Sequence, residues 1–182
     1  MAKIIPFHGL RPAESMASRV ASHPYDVIDS NEARELAKDN PVSFLHIIKP
    51  EIDLDNSISL YDPQVYAKGK ENLSTFIQKN ILIQDQNPCF YVYKQIMGKH
   101  EQTGLVACAS VDEYLHNKIK KHEHTRPEKV NDRVNLMNSL NAQTGPIFLA
   151  YRQSKEIKEI IDTILTQKPV NDFVSFNDIR HI

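Results

Sequence analysis

Cys89-Phe90-Tyr91-Val92-Tyr93-Lys94-Gln95-Ile96-Met97, then Gly98-Lys99-His100-Glu101, then Gln102-Thr103-Gly104-Leu105-Val106-Ala107-Cys108-Ala109-Ser110: on this stretch the fold class turns. Two runs rich in β-branched and aromatic residues are separated by four residues that begin with glycine, the pattern of two strands joined by a short hairpin loop. A hairpin makes its strands antiparallel. Beside it the chain carries strongly helical segments, so the expected fold is α+β (mixed α/β), with helices packed on a mixed or mostly antiparallel sheet.

Working outward, Asp62-Pro63 reads as a helix start, with aspartate as N-cap and proline at the first helical position, and Tyr66, Leu73, Phe76, Ile77 and Ile81 then recur on one face. Asp29 or Ser30 caps a shorter helix from Asn31 to Lys38. Thr125-x-x-Glu128 fits a capping box, and Val130, Val134 and Met137, with Leu136 and Leu140 alongside, carry that helix to about Leu140. After Ser154, the residues Ile157, Ile160, Ile161, Ile164 and Leu165 form an amphipathic helix. Further strands are expected at Lys3 to Phe7, at Val42 to Ile48 between Pro41 and Pro50, at Ile147 to Tyr151 and at Asp172 to Phe176. His8 to Tyr25 is a proline-punctuated loop, and an irregular segment that long is commonly used for packing or binding.

Composition sets the outer bounds. With 182 residues and 41% hydrophobic content the chain can bury a sizeable core. A net charge of -1 supplies no overall basic field toward nucleic acid or a membrane surface. The apolar runs are too short for a membrane span, and Pro6 interrupts the start before a signal peptide could be completed. Cys89 and Cys108 sit in strand-like runs without ligand spacing, which reads as two reduced, buried thiols and a cytoplasmic location. There is no Walker loop, no GxGxxG, no GxSxG elbow, and no serine or cysteine with an evident histidine partner.

The chemistry concentrates in Lys120-Lys121-His122-Glu123-His124-Thr125-Arg126-Pro127-Glu128-Lys129, followed by Asn131-Asp132-Arg133. Cations, imidazoles, a carboxylate and a hydroxyl meet at a helix entrance, where outward N–H groups favour an anion. One reading is an anion site, with Arg126, Lys129 and Arg133 as charge-assisted donors and Glu123 or Asp132 as base. The other is a well-capped surface helix with ordinary ion pairs. Asp26 is either a carboxylate presented by a rigid loop or a cap, and Tyr25 then covers the core. Arg11 is a phosphate clamp or the buried partner of a carboxylate such as Asp26. Thr144-Gly145-Pro146 is a backbone nest for an oxyanion or a simple turn. His122 and His124 lack a third ligand and the helical zinc spacing, so no metal site is assigned. The basic residues from Lys118 to Arg133 are interrupted by acids and carry no aromatic residue for base stacking, so nucleic acid is not expected as a partner.

Arg11-Pro12, His23-Pro24-Tyr25-Asp26-Val27, Asn40-Pro41-x-Ser43-Phe44-Leu45, Pro50-Glu51, Lys121-His122-Glu123-x-Thr125-Arg126-Pro127-x-Lys129, Asp132-Arg133 and Asn141-Ala142-Gln143-Thr144-Gly145-Pro146 occur in that order. Together they make the chain resemble the bacterial and archaeal domain of unknown function 1015 family, from about Lys3 to the last residue. The resemblance implies an amino-terminal half, truncated at its C-terminus, because family members are about twice as long. Their second half carries an Asp-Gly-His-His-Arg motif similar to one in ParB-like and sulfiredoxin-like folds, some of whose relatives are nucleotide-dependent kinases of free serine. That motif is not in this sequence. The expected function is thus part of a nucleotide- or phosphate-dependent enzyme acting on a small hydroxyl-bearing metabolite, with ATP or ADP and Mg²⁺. Glu123, Asp26 and His122 are its catalytic candidates, and Arg11, Thr125, Arg126, Lys129, Arg133 and Thr144 its anion-binding candidates. The alternative is a non-catalytic module that binds an anion or a partner with the same residues.

Overall fold

A computed structural model describes residues 2–122 and 124–182. In chain order the elements are β1 (Ile4–Ile5), β2 (Leu10–Pro12), α1 (Ala17–Val20), α2 (Ser30–Ala37), α3 (Leu45–Ile48), α4 (Pro63–Gln78), β3 (Leu82–Gln84), β4 (Tyr91–Met97), β5 (His100–Val106), β6 (Cys108–Ala109), α5 (Val111–Leu115), α6 (Pro127–Leu140), α7 (Lys155–Ile164), β7 (Phe173–Val174) and β8 (Arg180–His181). They divide into two compact units. The sheet unit takes Met1–Glu14, Gln84–Glu123 and Phe148–Ile182; the helical unit takes Ser15–Ile83 and His124–Ile147. The fold is α+β.

In the sheet unit the hairpin is tighter than four loop residues, because Met97 pairs with His100 and only Gly98 and Lys99 turn the chain. Gly98 takes φ +59, and a positive φ at the first of two loop residues is what a glycine supplies without steric cost. The sheet runs β5-β4-β8-β7, all neighbours antiparallel, with Gln95 opposite His181 and Phe173 opposite His181 on its other side. β1 and β6 form a separate antiparallel pair. Cys89 is half-buried and Cys108 exposed, both as free thiols, which corrects the expectation of two buried ones. The β1–β6 pair is two residues long with Ile4 and Ile5 themselves exposed, so it has no covered face in which to bury Cys108. Ile147 to Tyr151 belongs to no strand, which also departs from expectation: its backbone finds no partner strand, and Ile147 and Phe148 are 71% and 78% exposed.

The helical unit begins its helices where the sequence places them. Asp29 accepts from the N–H groups of Asn31 and Glu32, and Glu32 returns to the Asp29 N–H in a complete capping box for α2. Asp62 caps α4 with Pro63 behind it, and Val65, Tyr66, Gly69, Leu73 and Phe76 are its buried stripe. Val42 to Ile48 is not the expected strand. Leu45–Ile48 closes into one helical turn, with Leu45 and Ile47 almost wholly buried, because a short continuous apolar run carries no period that separates strand from helix.

α3, α4, α6 and the Pro50–Asp53 turn meet around Gly69. A Cβ added there would lie 2.8 Å from Pro50 Cγ, 3.2 Å from Leu136 Cδ1 and 3.4 Å from the Ile47 carbonyl oxygen. Arg34 ties the same turn to α2 by donating to the carbonyls of Glu51, Ile52 and Leu54 at 2.8–3.2 Å. His46 Nδ1 lies 2.8 Å from Asp53 Oδ1, its Nε2 lies 3.2 Å from the Asn40 carbonyl, and Asn72 donates to Asp53 Oδ2 at 2.7 Å. Both ring nitrogens face acceptors, so the imidazolium satisfies the site best. The Asp53 hydrogen bond pushes His46 up from its ordinary value, against burial and the nearby Lys68 charge. Burial pushes the Asp53 carboxyl up, but hydrogen bonds from His46 and Asn72 and the His46 charge bring it below its ordinary value.

Two stability measurements test this packing. Gly69→Ala is expected to destabilise the chain by about 1–3 kcal/mol in urea titration through overcrowding, reduced by the roughly 1 kcal/mol that alanine adds to helix propensity. Gly104→Ala, whose Cβ would meet nothing within 4 Å, should instead raise the urea midpoint slightly, by about 0.4–1 kcal/mol of stability from the reduced freedom of the unfolded chain. For pH, the raised His46 value means that its contribution is complete below the unfolded value of 6.5 and fades as pH rises through the higher folded value. The lowered Asp53 value means that its contribution is complete above 3.8 and fades as pH falls through the lower folded value. The stability difference between wild type and His46→Gln should therefore be greatest between these two values and shrink on the alkaline side; a difference constant from pH 5 to pH 9 would refute the charged pair.

Candidate functional site

α6 starts at Pro127, with Arg126 as N-cap in extended conformation and no side-chain capping bond. The expected Thr125–Glu128 capping box does not form: proline's fixed φ favours the first helical position, which moves the N-cap to Arg126, leaves Thr125 outside it and puts Glu128 one place too early to answer it. Glu128 instead hydrogen-bonds the Tyr61 hydroxyl, the leading cause that holds Tyr61 above its ordinary value. Lys129 Nζ approaches the same hydroxyl at 3.5 Å. His124, Thr125, Arg126 and Lys129 are all exposed at this entrance.

One turn further along, the side chains point inward. Arg133 donates from Nε and Nη2 to Asp132 Oδ2 at 3.0 and 2.6 Å and from Nη1 to the Ile48 carbonyl at 3.2 Å, while its guanidinium lies 4.2 Å from the Tyr25 ring centroid. Tyr66 donates to Asp132 Oδ1 at 3.1 Å. Guanidinium and carboxylate thus neutralise each other and, with the two tyrosines, fasten α6 to α3, α4 and the loop before α2. Tyr25 also packs against the Ala33, Ala37, Leu45 and Ile48 core, so it covers that core while Asp26 beside it is exposed. Beyond the end of α6, the Gly145 N–H donates to Gln143 Oε1 at 3.3 Å, which closes the turn next to the half-buried Thr144.

The predicted residues divide between the units. Asp26, Thr125, Arg126, Lys129, Arg133 and Thr144 lie in the helical unit, Arg11 and the exposed His122 in the sheet unit, and Glu123 lies outside the described residues. Arg11 has a carboxylate partner, Asp85 rather than Asp26: its Nε contacts both oxygens at 3.0 Å and its Nη2 lies 2.8 Å from Oδ1. Tyr91 also donates to Asp85 at 2.8 Å and accepts from the Gly9 N–H at 2.9 Å. The hydrogen bond from Arg11, with that of Tyr91, holds the Asp85 carboxyl below its ordinary value despite burial. Among the described residues no group of three or more His, Cys, Asp and Glu is arranged to hold a metal ion, and no helix is long and apolar enough to cross a membrane.

One pairing escaped the sequence reading. Ser175 Oγ lies 2.6 Å from His181 Nε2, and Tyr93 Oη lies 2.5 Å from His181 Nδ1. Six residues separate the serine from the histidine, a spacing without a motif, and only the β7–β8 register brings them together.

Neither a curated protein nor a solved structure matches the chain. The family model described as protein of unknown function (DUF1015) matches residues 4–182, in keeping with the ordered motifs from Arg11-Pro12 to Gly145-Pro146. The chain belongs to that family.

Proposed function

We propose that the entrance of α6 binds the phosphate group of a small molecule or nucleotide, and that this binding serves phosphoryl transfer to a hydroxyl-bearing metabolite of the free-serine type. The observation that carries the reading is the unusual helix start. The first turn of α6 has no side-chain cap, and exposed Arg126 and Lys129 stand on either side of Pro127 and Glu128. The positive end of the helix dipole, with the N–H groups of Glu128 and Lys129 behind the donorless Pro127, favours a bound anion, and the two cations add charge-assisted donors. Thr125 supplies a hydroxyl at the same place. Arg133 serves from behind: with its donors already engaged, it fixes the direction of α6 rather than reaching the ligand. Within the helical unit, Thr144 is a further anion-binding candidate and Asp26 a candidate for the proton of the accepting hydroxyl. Mg²⁺ would arrive with the nucleotide, since it is commonly held by substrate phosphates and few carboxylates.

A non-catalytic anion-binding module is the second reading. It is favoured by Asp132, the carboxylate next along α6, being held by Arg133 and Tyr66 and so poorly suited to act as a base.

Thermal unfolding with inorganic phosphate, ADP or ATP, each with and without Mg²⁺, tests the binding. A ligand present at about a hundred times its dissociation constant should add about 2.7 kcal/mol of stability. The Arg126→Ala/Lys129→Ala double variant should abolish that gain without losing stability of its own. Arg133→Ala should instead cost about 1–3 kcal/mol with no ligand present, because it strands Asp132. No stabilisation by any of the three would sink the phosphate reading. Stabilisation without nucleotide turnover in the presence of free serine would select the non-catalytic module.

A further inference from the structure

Away from the α6 entrance, Tyr93, His181 and Ser175 form a continuous hydrogen-bonded chain across β4, β8 and the end of β7. We propose that this is a second, nucleophilic site, in which Ser175 Oγ attacks the carbonyl carbon of a small carboxylic ester and His181 Nε2 takes its proton.

The imidazole is positioned from three sides. Its two nitrogens contact hydroxyls at 2.5 and 2.6 Å, Phe173 stacks on the ring at 5.1 Å and 15°, and Tyr93 lies on the other side at 5.9 Å and 22°. The proposal takes the tautomer in which His181 Nδ1–H donates to Tyr93 Oη, which turns the Nε2 lone pair toward Ser175. The serine hydroxyl has two other acceptors, the carbonyls of Phe176 at 3.3 Å and Ile179 at 3.5 Å, but the imidazole is much the nearest. Burial lowers the His181 value, so the ring is neutral and able to act as a base at neutral pH.

The loop that carries Ser175 joins β7 to β8 through a tight hairpin turn. Asn177 and Asp178 are consecutive non-glycine residues in the left-handed region, at φ 60 and 54. Asparagine and aspartate are the residues that tolerate this conformation in hairpin turns. The Ser175 N–H donates to the Ile179 carbonyl at 2.8 Å, and Arg180 forks onto Asp172 at 2.7 and 2.6 Å. Access is open as well. Alternation along β4 and β5 puts Tyr93, Gln95, Gln102 and Gly104 on one face, and the opposite parity puts Thr103 on the face that carries α7. A Cβ at Gly104, directly opposite Tyr93, would meet nothing within 4 Å. This face of the hairpin is therefore open beside Tyr93, the far end of the hydrogen-bonded chain from Ser175.

The step balances without a cofactor. The Oγ–C bond forms as the Oγ proton moves to Nε2; the tetrahedral carbon expels the alkoxide, which leaves as the alcohol with the Nε2 proton. Water, deprotonated by the same nitrogen, then hydrolyses the acyl-serine to the carboxylic acid and restores Ser175. Tyr93 is a positioning residue that holds the tautomer.

An alkyl fluorophosphonate reports an activated serine directly, since the Oγ–P bond forms, the P–F bond breaks, and fluoride and the serine proton leave. Incubating the full chain with this probe and mapping the adduct by peptide mass spectrometry should place one phosphonyl group on Ser175. His181→Gln should slow its formation at least about 100-fold. Tyr93→Phe should retain the adduct but shift the pH at which labelling reaches half its maximum. A serine that merely pins the hairpin loop predicts no adduct at all. Failure of wild-type Ser175 to label, or equal labelling rates in wild type and His181→Gln, would overturn the proposal whatever phosphate does at α6.

Discussion

The helical unit depends on one close approach, the passage of α4 over Pro50 and Leu136 at Gly69. Only a residue without a Cβ lets the Ile47 carbonyl, the Pro50 ring and the Leu136 side chain share that space. Everything that fixes α6 follows from it. With α6 held against α4, Asp132 comes within reach of Tyr66, and Arg133 reaches the Ile48 carbonyl and the Tyr25 ring. The direction of the helix entrance, and with it the placement of Arg126 and Lys129, is a consequence of packing two turns away from any ligand.

That arrangement also sorts the cations by what they can do. Arg11 and Arg133 look alike in sequence to Arg126 and Lys129, yet each has a carboxylate and further polar partners, and a guanidinium already forked onto a carboxylate gains little from a second anion. Net attraction for a phosphate must then come from Arg126, Lys129 and the helix end. All of these are exposed, so salt weakens them together. In the proposed role, a phosphate held by these groups would bind reversibly and with modest strength.

How far the sequence disclosed this depends on whether the deciding interactions are local. Asp62-Pro63, Asp29 with Glu32, Gly98 and Ser154 act within a few residues of themselves, and each element they mark is present. Val42 to Ile48 gives no such local signal because its apolar run has no period, and at Thr125 the proline two residues later competes for the cap. The Arg11–Asp85 pair spans 74 residues, and Tyr93 meets His181 across 88. Nothing in composition or spacing announces such meetings; they are set by strand register and by which unit a segment joins. The same holds for the candidate site, where residue types gave the α6 entrance but not the division into engaged and exposed cations.

The chain passes between the two units four times, since the sheet unit is assembled from three segments and the helical unit from two. Neither unit is a contiguous stretch that could be cut out with its core intact. Each can close only after distant segments have met, which raises the loop-closure cost and slows folding relative to a chain of local contacts. It also means that the three segments of the sheet unit gain their stability together: β4 and β5 form a local hairpin, but β8 must return over more than seventy residues to pair with β4. The Ser175–His181–Tyr93 chain therefore exists only once the last segment has docked, whereas the α6 entrance needs only the segments of the helical unit. Two chemically distinct groups of side chains are thus placed under separate structural control within one family member.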